Sequence, residues 1–240
     1  MLNPTYAKIF QEILFRRLTK GNFVIILRMK DKNAPCGFEL IYYFNAAAAG
    51  SNRESVGAIR FQAGCELAKI FCIKGDIVVP VPNTAREVAQ GYAYSSDIKY
   101  VEAIIANPKY GRYFAQPTAE GREKVVNEKF SYLPEEIAGK DIVLVDDSIV
   151  RGSTTKIVIQ KLRELGAGKI HMMVASSPVL SPCERLQVKS RAELVATDRT
   201  IGQIRDMIGA DSLYYLPLDI ALGIYGSRSE GEEVCLDCFS

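Results

Sequence analysis

Two adjacent carboxylates at the end of an apolar run, followed by small hydroxylated residues, make Asp141-Ile-Val-Leu-Val-Asp-Asp-Ser-Ile-Val-Arg-Gly-Ser-Thr-Thr155 the segment best equipped for chemistry. Ile142 to Val145 is continuously apolar, as expected of a strand buried on both faces of a parallel sheet. Asp146 and Asp147 then stand at its carboxyl end. Ser148, Ile149, Val150, Arg151, Gly152, Ser153, Thr154 and Thr155 follow, supplying hydroxyls, backbone N–H groups and a pliant glycine. The next residues read as a helix, whose N-terminus favours an anion. The acids suit a sugar diol or Mg2+, and the loop suits a sugar phosphate. The bland alternative is that the acids only cap the loop, as is common in α/β folds. Arg151 has two readings as well: it touches a substrate, or it pins the loop to a neighbouring acid. His171, the only histidine, falls in a predicted strand and reads as structural or solvent-facing.

The elements that must position this loop follow from periodicity. Apolar strands alternate with helical patterns, which predicts one doubly wound α/β domain: a mostly parallel sheet with helices on both faces. Strands are expected at Ile77 to Val81, Tyr100 to Ile105, Ile142 to Val145 and Ile170 to Ala175. Asn3 and Pro4 suit the start of a helix carrying Ile9, Ile13 and Leu14 inward, and Phe23 to Leu27 adds a strand. Residues 1–33 thus read as an N-terminal extension, and 34–240 as the main domain. A second helix places Val56, Ile59, Ala63, Leu67 and Ile70 on one face. The helix after the hydroxyl-rich loop buries Val158, Leu162 and Leu165 and stops at Gly166. Asn107 to Lys129 lacks periodicity and carries several basic residues, suiting either an exposed loop or a lid over an anion.

Composition sets the outer limits. A chain of 240 residues, 48% hydrophobic, buries one good-sized sheet, and a net charge of +2 calls for no nucleic-acid partner. No apolar run suits a membrane span, and the start soon becomes charged, unlike a signal peptide. The expectation is a cytoplasmic protein. In that setting six cysteines are better read as thiols or metal ligands than as a disulfide frame.

Several separated motifs, in order from about Ala34 to Phe239, resemble the transferase half of the glutamine phosphoribosylpyrophosphate (PRPP) amidotransferase family. Val145-Asp-Asp-Ser-Ile-Val-Arg-Gly-Ser-Thr154 is similar to its PRPP-binding signature, and Cys36-Gly-Phe-Glu-Leu-Ile-Tyr-Tyr43 to the segment that opens its transferase domain. Asp76-Ile-Val-Val-Pro-Val-Pro-Asn-Thr-Ala85, with Gly91-Tyr-Ala93, resembles its pyrophosphate loop and following helix. Gly111-Arg-Tyr-Phe-Ala-Gln-Pro-Thr118 resembles the flexible lid. Ser176-Ser-Pro178, Pro182-Cys183, Glu193-Leu194 and Ile208-Gly-Ala-Asp-Ser-Leu213 continue the match.

The resemblance implies a type I phosphoribosyltransferase-like fold and a PRPP-dependent transferase. Such an enzyme moves the 5-phosphoribosyl group to ammonia or a small amine, expels pyrophosphate and serves purine biosynthesis. Asn83, Thr84 and Ala85 would then form the pyrophosphate loop, Tyr110, Arg112 and Gln116 the lid contacts, and Thr84, Asp146 and Asp147 the surroundings of Mg2+. Cys36, Cys183, Cys235 and Cys238 stand where family members place the ligands of a 4Fe-4S cluster, with zinc as the alternative. Cys65 and Cys72 match no ligand position and read as small buried apolar residues.

The departures from the family are specific. Its glutaminase starts with a nucleophilic cysteine, whereas this sequence starts Met1-Leu2 and has Cys36 as its first cysteine. Glutamine hydrolysis on this chain is therefore not expected, which leaves use of free ammonia or another amine, ammonia from a separate glutaminase or amine-supplying partner, or no transfer. Asn45-Ala-Ala-Ala48 stands where the family has Arg-Pro-Asp-Ser, Pro82-Asn-Thr-Ala85 where it has Pro-Asp-Ser-Gly, and Ala106 and Pro108 where it has a lysine and an arginine. Three readings follow: a transferase, a non-catalytic subunit that binds PRPP or a nucleoside monophosphate, and a structural subunit held by its cluster. A homo-oligomer is expected in each case.

Overall fold

The computed structural model of the chain describes residues 14–17, 23–26, 36–48, 54–109, 128–225 and 235–239. Its strands are β1 Leu14–Arg17, β2 Phe23–Ile26, β3 Ile77–Pro80, β4 Lys99–Tyr100, β5 Ile104–Ala106, β6 Phe130–Tyr132, β7 Ile142–Asp146, β8 Ile170–Val174 and β9 Ser212–Tyr215. The helices are α1 Val56–Ile70, α2 Arg86–Ser96, α3 Pro134–Ile137, α4 Ser153–Glu164, α5 Ile201–Ile208 and α6 Leu218–Tyr225.

Five strands form one parallel sheet in the order β4-β3-β7-β8-β9. The apolar runs in β3, β7 and β8 are buried because each strand has a core on both sides. Val78, Val143, Val145 and Met173 face α1, α2 and α6. Ile77, Val79, Ile142, Leu144, Ile170, Met172 and Val174 face Ile137 of α3, Val158, Ile159 and Leu162 of α4, and Ile204 and Ile208 of α5. Helices therefore cover both faces, as expected. Thr200 starts α5 with a reciprocal capping box to Gln203, and Gly209 ends it at φ 81°.

Helices α1 and α2 pack backbone to backbone. A Cβ added to Gly64 would lie 1.9 Å from the Val88 carbonyl, and one added to Gly91 would lie 1.9 Å from that of Phe61. Each glycine thus opens a notch for the facing helix, and the thiol of Cys65 donates to the Gly91 carbonyl at 3.4 Å.

Four expectations need correction. Tyr100 to Ile105 is not one strand: β4 pairs with β3, while β5 pairs antiparallel with β6. Val101 still donates to the Val78 carbonyl at 2.9 Å, but the Ala103 carbonyl accepts from Leu133, so the chain changes partners within one apolar run. Leu14 begins strand β1, paired with β2, rather than ending a helix; residues 1–13 lie outside the described residues. Ile70 is 40% exposed at the end of α1, although Val56, Ile59, Ala63 and Leu67 are buried as expected. Cys72 lies just beyond that helix and is exposed. Leu67 and Ala68 are the last buried residues of that helix, and it is Phe71 that turns back onto Tyr214 of β9, leaving Ile70 and Cys72 outward.

Candidate active site at the carboxyl ends of two adjacent strands

Parallel strands β3 and β7 end side by side, with Val81 donating to the Val145 carbonyl at 2.8 Å. That register brings two motifs far apart in sequence into contact. Thr84 Oγ1, in the loop after β3, donates to Asp147 Oδ2, and Ser148 Oγ donates to Asp147 Oδ1 at 2.7 Å. Thr84, Asp146 and Asp147 are all buried. Asp146 Oδ1 accepts the backbone N–H of Asp147 at 2.8 Å. Burial holds the Asp146 carboxyl well above the usual aspartate range, and the neighbouring charge of Asp147 adds to that.

The hydroxyl-rich loop then turns into α4. Gly152 sits at φ 74°, and no side chain caps the helix. The first-turn N–H groups of Ser153, Thr154 and Thr155 lack intrahelical partners by geometry, which makes this end of α4 a cradle for an anion. Ile149 is buried, and the Val150 carbonyl accepts from Val195 at 2.9 Å, fixing the loop from below. The Arg151 guanidinium bonds Glu193 Oε2 and the Gln187 carbonyl, at 3.2 Å and 3.1 Å. It pins the loop to a neighbouring acid. Asn83 is exposed and Ala85 buried in the loop after β3. Tyr110, Arg112 and Gln116 lie outside the described residues. His171 donates to or accepts from Ser212 Oγ at 2.8 Å, a structural role.

Two residues of this region were read from the sequence only as parts of longer segments. The charge of Lys129 acts on Asp146 and favours its ionised form. Only its place among other basic residues marked it in the sequence. Ser176 donates its backbone N–H to the Asp147 carbonyl at 3.0 Å, and its fully buried hydroxyl has no partner among the described residues.

The four cysteines aligned by resemblance also converge, on the opposite side of the sheet from α4. Cys36 and Cys235 form a parallel bridge, with Gly37 donating to the Cys235 carbonyl at 3.0 Å. The Cys238 carbonyl accepts from Leu180 and Ser181, just before Cys183. All four are free thiols. Burial pushes the Cys238 thiol up, and Cys36, Cys183 and Cys235 are each close enough to push it further. Among the described residues, no group of three or more His, Cys, Asp or Glu is placed to hold a metal ion.

No protein-family model matches the chain. Amidophosphoribosyltransferase from Pyrococcus horikoshii is 42% identical over 188 residues, which is 78% of this chain and 41% of that protein. The enzyme of the same name from Methanothermobacter thermautotrophicus is 38% identical over 198 residues, 82% of this chain and 42% of that protein. Glutamine PRPP amidotransferase from B. subtilis, solved with ADP and GMP, superposes with a TM-score of 0.76 at 33% identity, over 89% of this chain and 48% of that one. This chain is a homologue of the transferase part of the amidophosphoribosyltransferases. Its fold is therefore the type I phosphoribosyltransferase fold, and the parallel sheet with Asp146 and Asp147 at its carboxyl edge is that fold's central layer. The chain spans about two fifths of the length of the curated relatives it matches. Among the described residues no helix is long and apolar enough to cross a membrane.

Proposed function

We propose that this chain is a PRPP-dependent phosphoribosyltransferase that passes the 5-phosphoribosyl group to ammonia or a small amine and releases pyrophosphate. The observation that carries the reading is the hydrogen bond from Thr84 to Asp147, which joins the pyrophosphate loop to the paired acids beside the uncapped start of α4. The N–H and hydroxyl groups of Ser153 to Thr155 would take the 5-phosphate, and Asp146 and Asp147 the ribose diol. Residues 83–85 would border the pyrophosphate. Mg2+, when bound, would supply positive charge to the departing pyrophosphate, and the buried, mutually repelling carboxylates with Thr84 are a donor set that fits such a hard cation. Asp147, held by two hydroxyls, keeps a fixed position as the sugar gains positive character. The amine would come from solution or from a separate glutaminase partner. An anaerobic pyrophosphate-release assay across ammonium and candidate amines tests the reading; binding of PRPP or a nucleoside monophosphate with no release of pyrophosphate would favour a sensing role instead.

The altered pyrophosphate side predicts slow turnover with ammonia alone. Ala106 pairs with Phe130 across the β5-β6 ladder, and Asn107 donates to the Lys129 carbonyl at 2.8 Å. Position 106 therefore lies next to the lysine whose charge reaches Asp146. Ala106→Lys is expected to raise PRPP turnover about tenfold, the effect of roughly 1.4 kcal/mol of added transition-state stabilisation. Brisk turnover by the unaltered protein would show that the missing charge is already supplied.

Cys36, Cys183, Cys235 and Cys238 are read as the ligands of a 4Fe-4S cluster. Their convergence from three stretches of the chain supports this, as does an arginine set among them. A single zinc ion needs its sulfurs drawn in to about 2.3 Å from one centre, whereas a cluster stands between its ligands and tolerates wider spacing. Cys235→Ser is expected to abolish iron retention in protein prepared without oxygen, and Cys65→Ser to leave it intact. Stoichiometric zinc in the anaerobic protein would replace this reading with the other.

A further inference from the structure

Arg185 stands among the converging cysteines, beside Cys36 and Cys235. It occupies the short 3-10 turn Glu184–Leu186 directly after Cys183. The turn is closed by Leu186 donating to the Cys183 carbonyl at 3.1 Å and Gln187 donating to that of Glu184 at 2.9 Å. Leu186 and Val188, after Arg185, are buried, and an antiparallel bridge joins Cys183 to Val188. The turn is thereby anchored at both ends. The Arg185 guanidinium lies beside Cys36, Glu39 and Cys235. Its Nη1 atom is buried and has no acceptor among the described residues.

A buried guanidinium nitrogen without an acceptor is costly, more so than a neutral donor left in the same state. The Cys36 side chain already bonds the guanidinium, but Nη1 is left over: Phe38, Leu186, Leu236 and Phe239 belong to the same apolar core, and the Glu39 carboxyl beside the guanidinium is pushed up by burial. Four thiolates outweigh the positive charge of an iron–sulfur core, so a cluster held by these cysteines is an anion with sulfur acceptors. It would meet both needs of Arg185, charge and an acceptor for Nη1. Reduction potentials of such clusters respond to nearby charge and to hydrogen bonds on sulfur.

We propose that Arg185 is the charge partner of the cysteine-held cluster, donating to its sulfur and setting its reduction potential and its resistance to air. This rests on the iron–sulfur reading given above. Adding an electron makes the cluster more anionic, and the guanidinium favours that form. Removing the cation therefore drives the midpoint negative and makes loss of an electron to oxygen easier.

The full chain, prepared without oxygen as the natural protein, Arg185→Lys and Arg185→Gln, decides the matter. Iron and sulfide are measured first, then the midpoint by reductive titration, then the rate of bleaching in air. Arg185→Gln is expected to keep its iron, to shift its midpoint negative by about 59 mV, a tenfold change for one electron, and to bleach several times faster. Arg185→Lys, which keeps the charge, should restore most of the midpoint. An iron-loaded glutamine variant with unchanged midpoint and air lifetime overturns this proposal and leaves the cluster reading standing. Natural protein without iron overturns both. If the glutamine variant holds no iron, retention by Arg185→Lys supports the charge role, and equal loss in the lysine variant overturns it.

Discussion

Asp146→Asn is expected to make the ligand-free protein more stable at neutral pH and, in the same variant, to weaken binding of PRPP or a nucleoside monophosphate by tenfold or more. Burial, then the charge of Asp147, raises the Asp146 carboxyl well above its ordinary value of 3.8. Below that value both the folded and unfolded chains carry the proton. As pH rises past it the unfolded chain ionises first, so the folded state loses stability until its own carboxyl ionises, and the loss persists above that point. Asparagine keeps the oxygen that accepts from the Asp147 N–H but never carries the penalty. The binding loss has the opposite origin, since a diol or Mg2+ needs the charge. Thermal melts with and without ligand and Mg2+, repeated across pH, measure both at once. A lower melting temperature for the ligand-free variant, or full affinity, would mean that Asp146 is not a strained ligand for charge.

Gly64→Ala should destabilise the protein by on the order of 3–5 kcal/mol, at the upper end for a single substitution. In an ordinary helix the same change would stabilise by up to about 1 kcal/mol, because alanine is the better helix former. The sign of the effect therefore tests the packing directly. The new methyl would stand 1.9 Å from the Val88 carbonyl and 2.7 Å from the Tyr92 nitrogen. Both are backbone atoms, so no side-chain rotation relieves the clash and the helices must part. Denaturant unfolding measures the loss. Since α2 follows the loop of Asn83 and Thr84, the variant should also blunt nucleotide binding.

The sequence exposed those parts of the fold where burial is complete. β3, β7 and β8 were legible because a strand covered on both faces has to be apolar throughout, and the acid-hydroxyl loop because few other segments concentrate those groups. β9 was missed: Ser212-Leu-Tyr-Tyr215 at the sheet's edge alternates between partly and fully buried positions and is too short for alternation to stand out. The split between β4 and β5 was hidden because an apolar run records burial and not which strand accepts its hydrogen bonds. In the site, Asp146, Asp147 and Thr84 were each named, but their joining through Asp147 depends on the β3-β7 register, which no local pattern carries. Arg185 was invisible, and Ser176 stood out only as part of a matched motif, for a related reason: what marks them is a polar atom without a partner among the described residues, and that is a property of three-dimensional surroundings.

The parallel bridge between Cys36 and Cys235 also imposes an order on the protein's birth. Synthesis runs from the amino end, so Phe38, Leu40 and Ile41 leave the ribosome long before the segment carrying Leu236 and Phe239, with which they share a core. At about 5–20 residues per second the wait is on the order of ten seconds or more. The sheet's central strands can assemble during that interval, but the floor beneath Phe38 cannot close. An apolar patch and an uncovered thiol thus stand open in the nascent chain, and a chaperone or a reducing environment has the most to protect at that moment.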